Sequence, residues 1–579
     1  MTTQWNIAQP SIEDQALAQE LCQSLELSPV LGRLLVGRGV RSLEEARAFL
    51  EPTLESLHNP YLIEDMEVAV RRLSQAIEGC ERILIYGDYD VDGTTAVSLV
   101  YTALRDHLCP ADRLCYYIPD RYDEGYGISI QSIDHAHRWG AGLIIALDCG
   151  IKAHEQIAYA RSLGIDFIIC DHHQPDEALP DAVAILDPKR PGNLYPNEEL
   201  SGCGVGFKLM QAMLSTWGHP ENTVYEYLDL VAVSIAADIV PVVGENRVLA
   251  YHGLKKLNSS PSLGLKEIIR TCNLEGEIID MNSIVFKIGP RINASGRMMS
   301  GTVAVDLLTA DNVTKAQQCS ALLDQYNNQR RELDQIVTQQ AIDLIKREGG
   351  LANRRILILY QPDWHKGVLG IVASRLTERY NRPTIILTQS ADDLVGSGRS
   401  MRSVDLYSAL EACREYLVNF GGHTHAAGIT IREENLDAFR LAMEVYFERN
   451  VEPVHLTKQI HVDIELKIED VQPTLLDDIR RLAPFGLQNE PPTFVTHRLR
   501  DAGGSRVVGR DSRHIKLRMT DRYCKNRPLH GIALGQARHA SWIMNQQAFG
   551  ICYTIEDNRF YGSGFMQLQV KDIHTTEKD

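Results

Sequence analysis

Four short apolar runs constrain this 579-residue chain more than any other feature: Arg82–Tyr86 ("RILIY"), Leu143–Leu147 ("LIIAL"), Asp166–Cys170 ("DFIIC") and Val183–Leu186 ("VAIL"). Their hydrophobicity is continuous, not alternating, which fits strands buried on both faces, as in a parallel sheet. The stretches between them, such as "TTAVSLVYTALRDHL", read as helices of right-handed β-α-β crossovers.

Three of these runs lead into ionisable residues. The first continues into "YGDYDVDGTTA", so Asp88, Asp90 and Asp92 recur at alternate positions just after a strand. The second ends in Asp148 ("ALDCGI") and the third in Asp171-His172-His173 ("CDHHQ"); a further apolar stretch, "LVAVSIAADIVPVV", delivers Asp238. Ligands of open α/β sheets sit beyond the carboxyl ends of the strands, where these residues converge. Carboxylates so placed repel one another unless a cation offsets the charge. Oxygen donors suit Mg²⁺ or Mn²⁺, and imidazole shifts the preference toward Mn²⁺. Taken singly, an Asp after a strand is most often a cap or turn residue, and a His a satisfied core group. The convergence of four segments is what favours a metal site.

The D-x-D-x-D-G pattern also opens a calcium-binding EF-hand loop, but position 12 counted from Asp88 is Leu99 instead of Glu, and the preceding segment is a strand. Twelve cysteines without a CxxC pair read as reduced thiols, which weighs against zinc fingers and suits a cytoplasmic protein. A net charge of −17 excludes a uniformly basic coat yet permits a local basic channel. No apolar run has the roughly 20 residues of a membrane span, and the N-terminus has no secretory pattern.

The expected organisation is α/β: a helical segment at 1–55, a parallel-sheet catalytic domain at 56–310, and a long connecting helix at 311–350. A smaller α/β domain follows at 351–452, then a β module at 453–579 whose turn signals favour a small barrel or sandwich.

"DYDVDG", "LDCG", "DHHQ" and "AADIVP", in this order, resemble the DHH phosphoesterase superfamily. "IPDRYDEGYG", "LSGCGVGFKL", "GPRINASGRM", "WHKGVLGIVASRL", "GSGRSMRS" and "FGGHTHAAG" narrow the resemblance to its bacterial RecJ branch of 5′→3′ single-strand-DNA exonucleases, over nearly the whole chain. The resemblance implies two metal ions (Mn²⁺ or Mg²⁺), with Asp90 and Asp92 serving them separately, Asp148 bridging, His172 and Asp238 completing one site, and His173 near the scissile phosphate or metal. Many superfamily members carry a His four residues before the first metal-binding Asp; here Tyr86 stands there, with Asp88 as substitute or supporting acid. Asp171 is read as either orienting the imidazoles or capping the next turn.

For substrate, the resemblance implies a terminal-phosphate contact at Arg121 and base stacking at Tyr126. Arg291 and Arg297 are further candidates, with a structural role as the alternative for one of them. Ser397, Arg399, Gly421, Gly422 and His423, read as lying in Gly-rich turns, would hold the nucleic-acid end. The β module resembles an OB fold, with Arg506, Arg510, Arg513, His514 and Lys516 as candidate strand contacts. The implied partners are single-stranded DNA, a helicase and a single-strand-binding protein, with the enzyme a monomer active in repair and recombination. Two alternatives stand: another DHH phosphodiesterase acting on short oligonucleotides, or a DNA-binding scaffold without catalysis.

Overall fold

The computed structural model describes residues 3–351, 354–521, 528–557 and 566–575. Its first sheet has five strands, all parallel, ordered Leu114–Tyr117, Arg82–Gly87, Ala141–Leu147, Asp166–Cys170, Ala184–Leu186. Both faces are buried. Ile83, Ile85, Leu143 and Ile145 enter one apolar core, while Leu84, Tyr86, Ile144 and Ala146 enter another on the opposite face. A period of two with apolar residues on both sides gives the continuous runs seen in the sequence. The Leu114–Tyr117 edge strand escaped sequence reading because only Leu114 is fully buried and the rest is mixed. In sequence order the strands run 2-1-3-4-5, so the order reverses between Arg82–Gly87 and Ala141–Leu147. That switch point opens a crevice at the strands' carboxyl ends.

The segment carrying Asp238 is a helix, Leu228–Ala237, and Asp238 is its C-cap. It reads as an uninterrupted apolar run because it is buried on all sides, packed against helices Val91–His107 and Gly244–Ser259.

Helix Val313–Arg347 spans 35 residues, roughly 50 Å at 1.5 Å per residue. Ala316 and Leu323 near its start belong to the first core; Val337, Ala341 and Ile345 belong to a core with Leu357 and Leu369 further on. The second sheet is mixed. Only Leu357–Tyr360 and Thr384–Ser390 pair in parallel, and Asp393–Arg399, Ala426–Arg432 and Leu417–His423 add antiparallel strands.

The C-terminal strands close on themselves: Phe494–Asp501, Phe549–Asp557, Met566–His574, Leu529–Ala533 and His514–Thr520 form a ring, sealed where Arg500 pairs with Thr520. Its core is shared with the N-terminal helices, Leu21, Leu31 and Leu35 lying with Ile479, Phe494 and Phe549. The N-terminal segment is not wholly helical, because Gln4–Ile7 is a strand paired in parallel with Gln459–Val462. Among the described residues no helix is long and apolar enough to cross a membrane.

Candidate metal centre and substrate cleft

The acids and imidazoles from the first domain meet at the switch point. Asp90 caps helix Val91–His107, accepting the Gly93 N–H at 3.0 Å, so the capping role and the cluster role coexist. Asp92, one turn in, accepts N–H groups of Gly202 (2.7 Å) and Cys203 (2.8 Å) and the Ser234 hydroxyl (2.7 Å). The start of helix Gly202–Thr216 thus fixes its rotamer. Asp148 has φ +59°, a left-handed conformation that non-glycine residues adopt rarely and mostly at functional sites. Gly202 has to be glycine, since a Cβ there would stand 2.6 Å from Asp148 Cβ.

Three sets of donors lie within 4.8 Å of one another: Asp88, Asp90 and Asp148; Asp92, His172 and Asp238; and Asp148, His172 and His173. Asp148 belongs to two of them, and its Oδ1 is 3.1 Å from His172 Nε2. His172 Nε2 also lies 3.6 Å from Asp92 and 3.7 Å from Asp238. Burial, together with the neighbouring acids, holds Asp148, Asp88 and Asp238 well above the usual carboxylate range and raises Asp90. Such a cluster carries full charge only beside a cation. Asp88 Oδ1 is buried without a hydrogen-bond partner among the described residues, and the oxygen-rich set with an imidazole fits divalent Mn²⁺ or Mg²⁺.

Asp171 stands behind this group. It accepts N–H bonds from Ile151 (2.9 Å), His172 (2.8 Å) and His173 (3.2 Å), and holds His173 Nδ1 at 2.7 Å. Burial pushes its carboxyl up, but the His173 bond and charge outweigh burial and leave it below the usual range. Burial likewise works against a charged His173, yet Asp171 raises that imidazole to about 9. Tyr86 is turned into the core, its hydroxyl donating to the Gly127 carbonyl at 2.8 Å.

Beside the acids lies a cluster of the opposite sign. Arg297 is desolvated, and the nearby charges of Arg121, Arg330 and Arg399 help to lower it to about 10. Burial and Arg121 lower Arg399 too. Arg121 sits over the Tyr89 ring at 5.0 Å, and Arg399 donates to Ser397 Oγ at 2.8 Å. The cluster spans both α/β halves: Arg297 Nη1 donates to the Gly367 carbonyl at 3.2 Å, and the Tyr122 hydroxyl donates to the Arg297 carbonyl. Guanidiniums gathered in this way call for an anion with several oxygens.

Several expected residues sit differently from their sequence reading. Ser397 and Arg399 lie on strand Asp393–Arg399, and Gly421, Gly422 and His423 on strand Leu417–His423; these are not turns, because the small residues there permit close strand pairing. A Cβ on Gly422 would stand 2.2 Å from the Ala426 carbonyl oxygen. His423 faces the first domain: burial lowers it, and so do His173, Lys152 and Lys189. Arg291 is tied to Asp324 of the long helix at 2.8 Å. Tyr126 is 57% exposed as a residue, and its hydroxyl lies 3.2 Å from His173 Nε2. Arg506, Arg510 and Arg513 are exposed on the barrel, whereas His514 Nδ1 accepts the Gly535 N–H and Lys516 lies within the paired strand His514–Thr520.

Sequence reasoning missed Arg330, Tyr89 and Gly370. Gly370 opens helix Leu369–Tyr380 against the phosphate-suited pair: a Cβ there would stand 2.8 Å from Arg399 Nη2 and 3.1 Å from Ser397 Oγ. The spacing "GVLG" before a helical run was the only available signal.

Comparison with known proteins identifies the domains and the fold. Residues 82–235 match the DHH family N-terminal domain, 353–449 the DHHA1 domain, and 462–572 the RecJ OB domain. The chain is 34% identical to the single-stranded-DNA-specific exonuclease RecJ of Bacillus subtilis, covering 99% of this chain and 71% of that one. It is 33% identical to RecJ of Escherichia coli, covering 95% and 96%. The crystal structure of Thermus thermophilus RecJ in complex with Mn²⁺ superimposes with a TM-score of 0.84 at 25% identity, covering 99% of this chain and 80% of that one.

Proposed function

Since the chain belongs to the RecJ family of single-stranded-DNA-specific exonucleases, we propose that it hydrolyses single-stranded DNA from the 5′ end to 5′-mononucleotides, with two Mn²⁺ or Mg²⁺ ions. The observation that carries this reading is the acid cluster abutting the arginine cluster across the two α/β halves. Asp88, Asp90 and Asp148 would hold one ion and Asp92, His172 and Asp238 the other, with Asp148 shared. Bound there, the ions would neutralise the phosphodiester and acidify the attacking water.

The chain's own residues have separable tasks. Asp92 is kept in register by Gly202, Cys203 and Ser234, so its oxygens need no reorganisation. His173, held charged by Asp171 at neutral pH, can donate to a phosphoryl oxygen or the leaving oxygen. Arg121, Ser397 and Arg399 would grip a terminal 5′-phosphate, with Arg297 between them and the acids. A terminus gripped there would leave a bond near the 5′ end to be cut, which supports the proposed direction. Tyr126 offers an exposed ring for stacking, Gly421, Gly422 and His423 line the opposite wall, and Arg506, Arg510 and Arg513 would guide the trailing strand on the barrel. Because it needs a free single-stranded end, the enzyme would act in repair and recombination as a cytoplasmic monomer supplied by a helicase and single-strand-binding protein.

The test offers 5′- and 3′-labelled single-stranded DNA, duplex and RNA with Mn²⁺, Mg²⁺ or chelator. Mononucleotides are expected from the labelled 5′ end of single strands only with metal. Release from the 3′ end alone, or cleavage in chelator, refutes the mechanism.

A further inference from the structure

Asp238 differs from the other acids in how it is held. Asp92 and Asp148 are 1% and 4% exposed and pinned within the first domain, whereas the Asp238 side chain is 30% exposed, reaches toward His172 and Asp92, and makes no hydrogen bond among the described residues. The next residue, Ile239, has φ +60°. A β-branched residue resists that conformation, and it persists only where the surroundings over-determine it.

The constraint comes from outside the domain. Val242, four residues past Asp238 and buried, donates its N–H to the Leu487 carbonyl at 2.8 Å. Gly486 packs so closely that a Cβ there would stand 2.4 Å from Val242 Cγ2, an atom a stiff β-branched side chain cannot easily withdraw. Arg247 spends its buried guanidinium on the carbonyls of Phe49, Leu482, Ala483 and Pro484, with no carboxylate among these partners. The 482–490 turn is itself braced, Asn489 Nδ2 bonding the Leu482 and Pro484 carbonyls and Arg38 binding Asn489 Oδ1 at 2.8 Å. Leu482 belongs to the core shared by the barrel and the N-terminal helices.

We infer that this turn sets the position of Asp238, so that Gly486, Leu487 (through its carbonyl) and Arg247 are positioning residues for one of the two metal sites. Docking of the barrel module thereby controls how tightly that ion is held. The inference rests on the reading of Asp238 as a metal ligand.

Mn²⁺ binding to the full chain, followed by electron paramagnetic resonance and calorimetry, tests it. In Gly486→Ala one ion should bind about 10-fold more weakly, as for other supports behind a ligand, and the second should be unchanged. Turnover should recover at saturating Mn²⁺. Val242→Ala added to Gly486→Ala removes the atom the new methyl would strike and should restore most of the affinity. In an Asp238→Asn background Gly486→Ala should add no further loss. Arg247→Gln serves as a second variant should Gly486→Ala fail to fold. A folded variant that binds both ions normally, or loosens both equally, overturns the inference. If Asp238→Asn itself keeps both ions, the ligand reading has failed; if it loses one and Gly486→Ala loses none, only the positioning role has.

Discussion

The acid cluster and the arginine cluster are mirror images in charge but not in construction. Asp88, Asp90, Asp92, Asp148, His172 and Asp238 all come from one domain: parallel strands deliver the first five to one edge, and the end of helix Leu228–Ala237 adds Asp238. Arg121 and Arg297 come from that domain, Arg399 from the second, and Arg330 from the helix between them. Apart from Asp238, the first cluster needs only the one domain; the second exists only while the two halves are apposed. Each keeps like charges close, where a pair 4 Å apart repels by about 4 kcal/mol at an effective dielectric of 20. Protons or a cation relieve the first, and an anion with several oxygens relieves the second.

The sharpest way to break the comparison is Asp148→Asn, which alters an acid that belongs to two of the donor sets and lies 3.1 Å from the imidazole of the remaining one. Turnover on single-stranded DNA should fall by roughly three orders of magnitude, equivalent to about 4 kcal/mol of barrier. The same change should raise the melting temperature in chelator, because it removes a buried charge the folded state disfavours. The pH dependence has a matching sign. Folded-state values raised above the unfolded ones mean the native state binds more protons, so metal-free protein should gain stability as pH falls from 8 toward 6. Saturating Mn²⁺ should abolish that slope. A variant with near-normal turnover, or metal-free protein that loses stability over this range, would remove Asp148 from the centre or the charge argument from it.

Arg399→Gln probes the cluster built across the halves. Losing a charge-assisted hydrogen bond worth roughly 1.5–3 kcal/mol should raise KM about 10- to 100-fold with little change in kcat. The preference for a 5′-phosphate over a 5′-hydroxyl end should disappear in steady-state assays of both substrates. If kcat falls and KM does not, Arg399 belongs with the reacting atoms and the two clusters are not separable. Arg291→Gln is the internal control: its guanidinium is already held by Asp324, so it should lower stability and leave end discrimination intact.

The same contrast explains what was legible. Strands ending in Asp148 and Asp171 were readable because two-sided burial writes a continuous apolar run, and the acids follow it directly. The helix behind Asp238 looked alike in sequence because a fully surrounded helix also loses its polar stripe. Gly421, Gly422 and Ser397 carry local turn signals yet lie in paired strands, and of the two glycines only Gly422 lacks room for a Cβ. Arg330 was invisible because one arginine within "NNQRRELD" has no local mark; only the apposition of two domains gives it neighbours. Gln4–Ile7 was hidden for the same reason, its partner strand lying more than 450 residues away at Gln459–Val462.

The smallest effect should come from the barrel, which belongs to neither cluster. Arg506, Arg510 and Arg513 are exposed on a hairpin edge, and Arg513 has only a loose 3.9 Å pairing with Asp511. If they follow the trailing strand as point charges, each should lower the dependence of log K on log salt by about 0.7 on neutralisation. The triple Gln variant should therefore reduce that slope by roughly 2 for a long single strand, measured by fluorescence anisotropy. If the hairpin holds only the trailing strand, turnover of a strand of a few nucleotides should not change. An equal loss on short and long strands would mean the hairpin supports the fold instead of the DNA, since only a trailing strand can tell the two lengths apart.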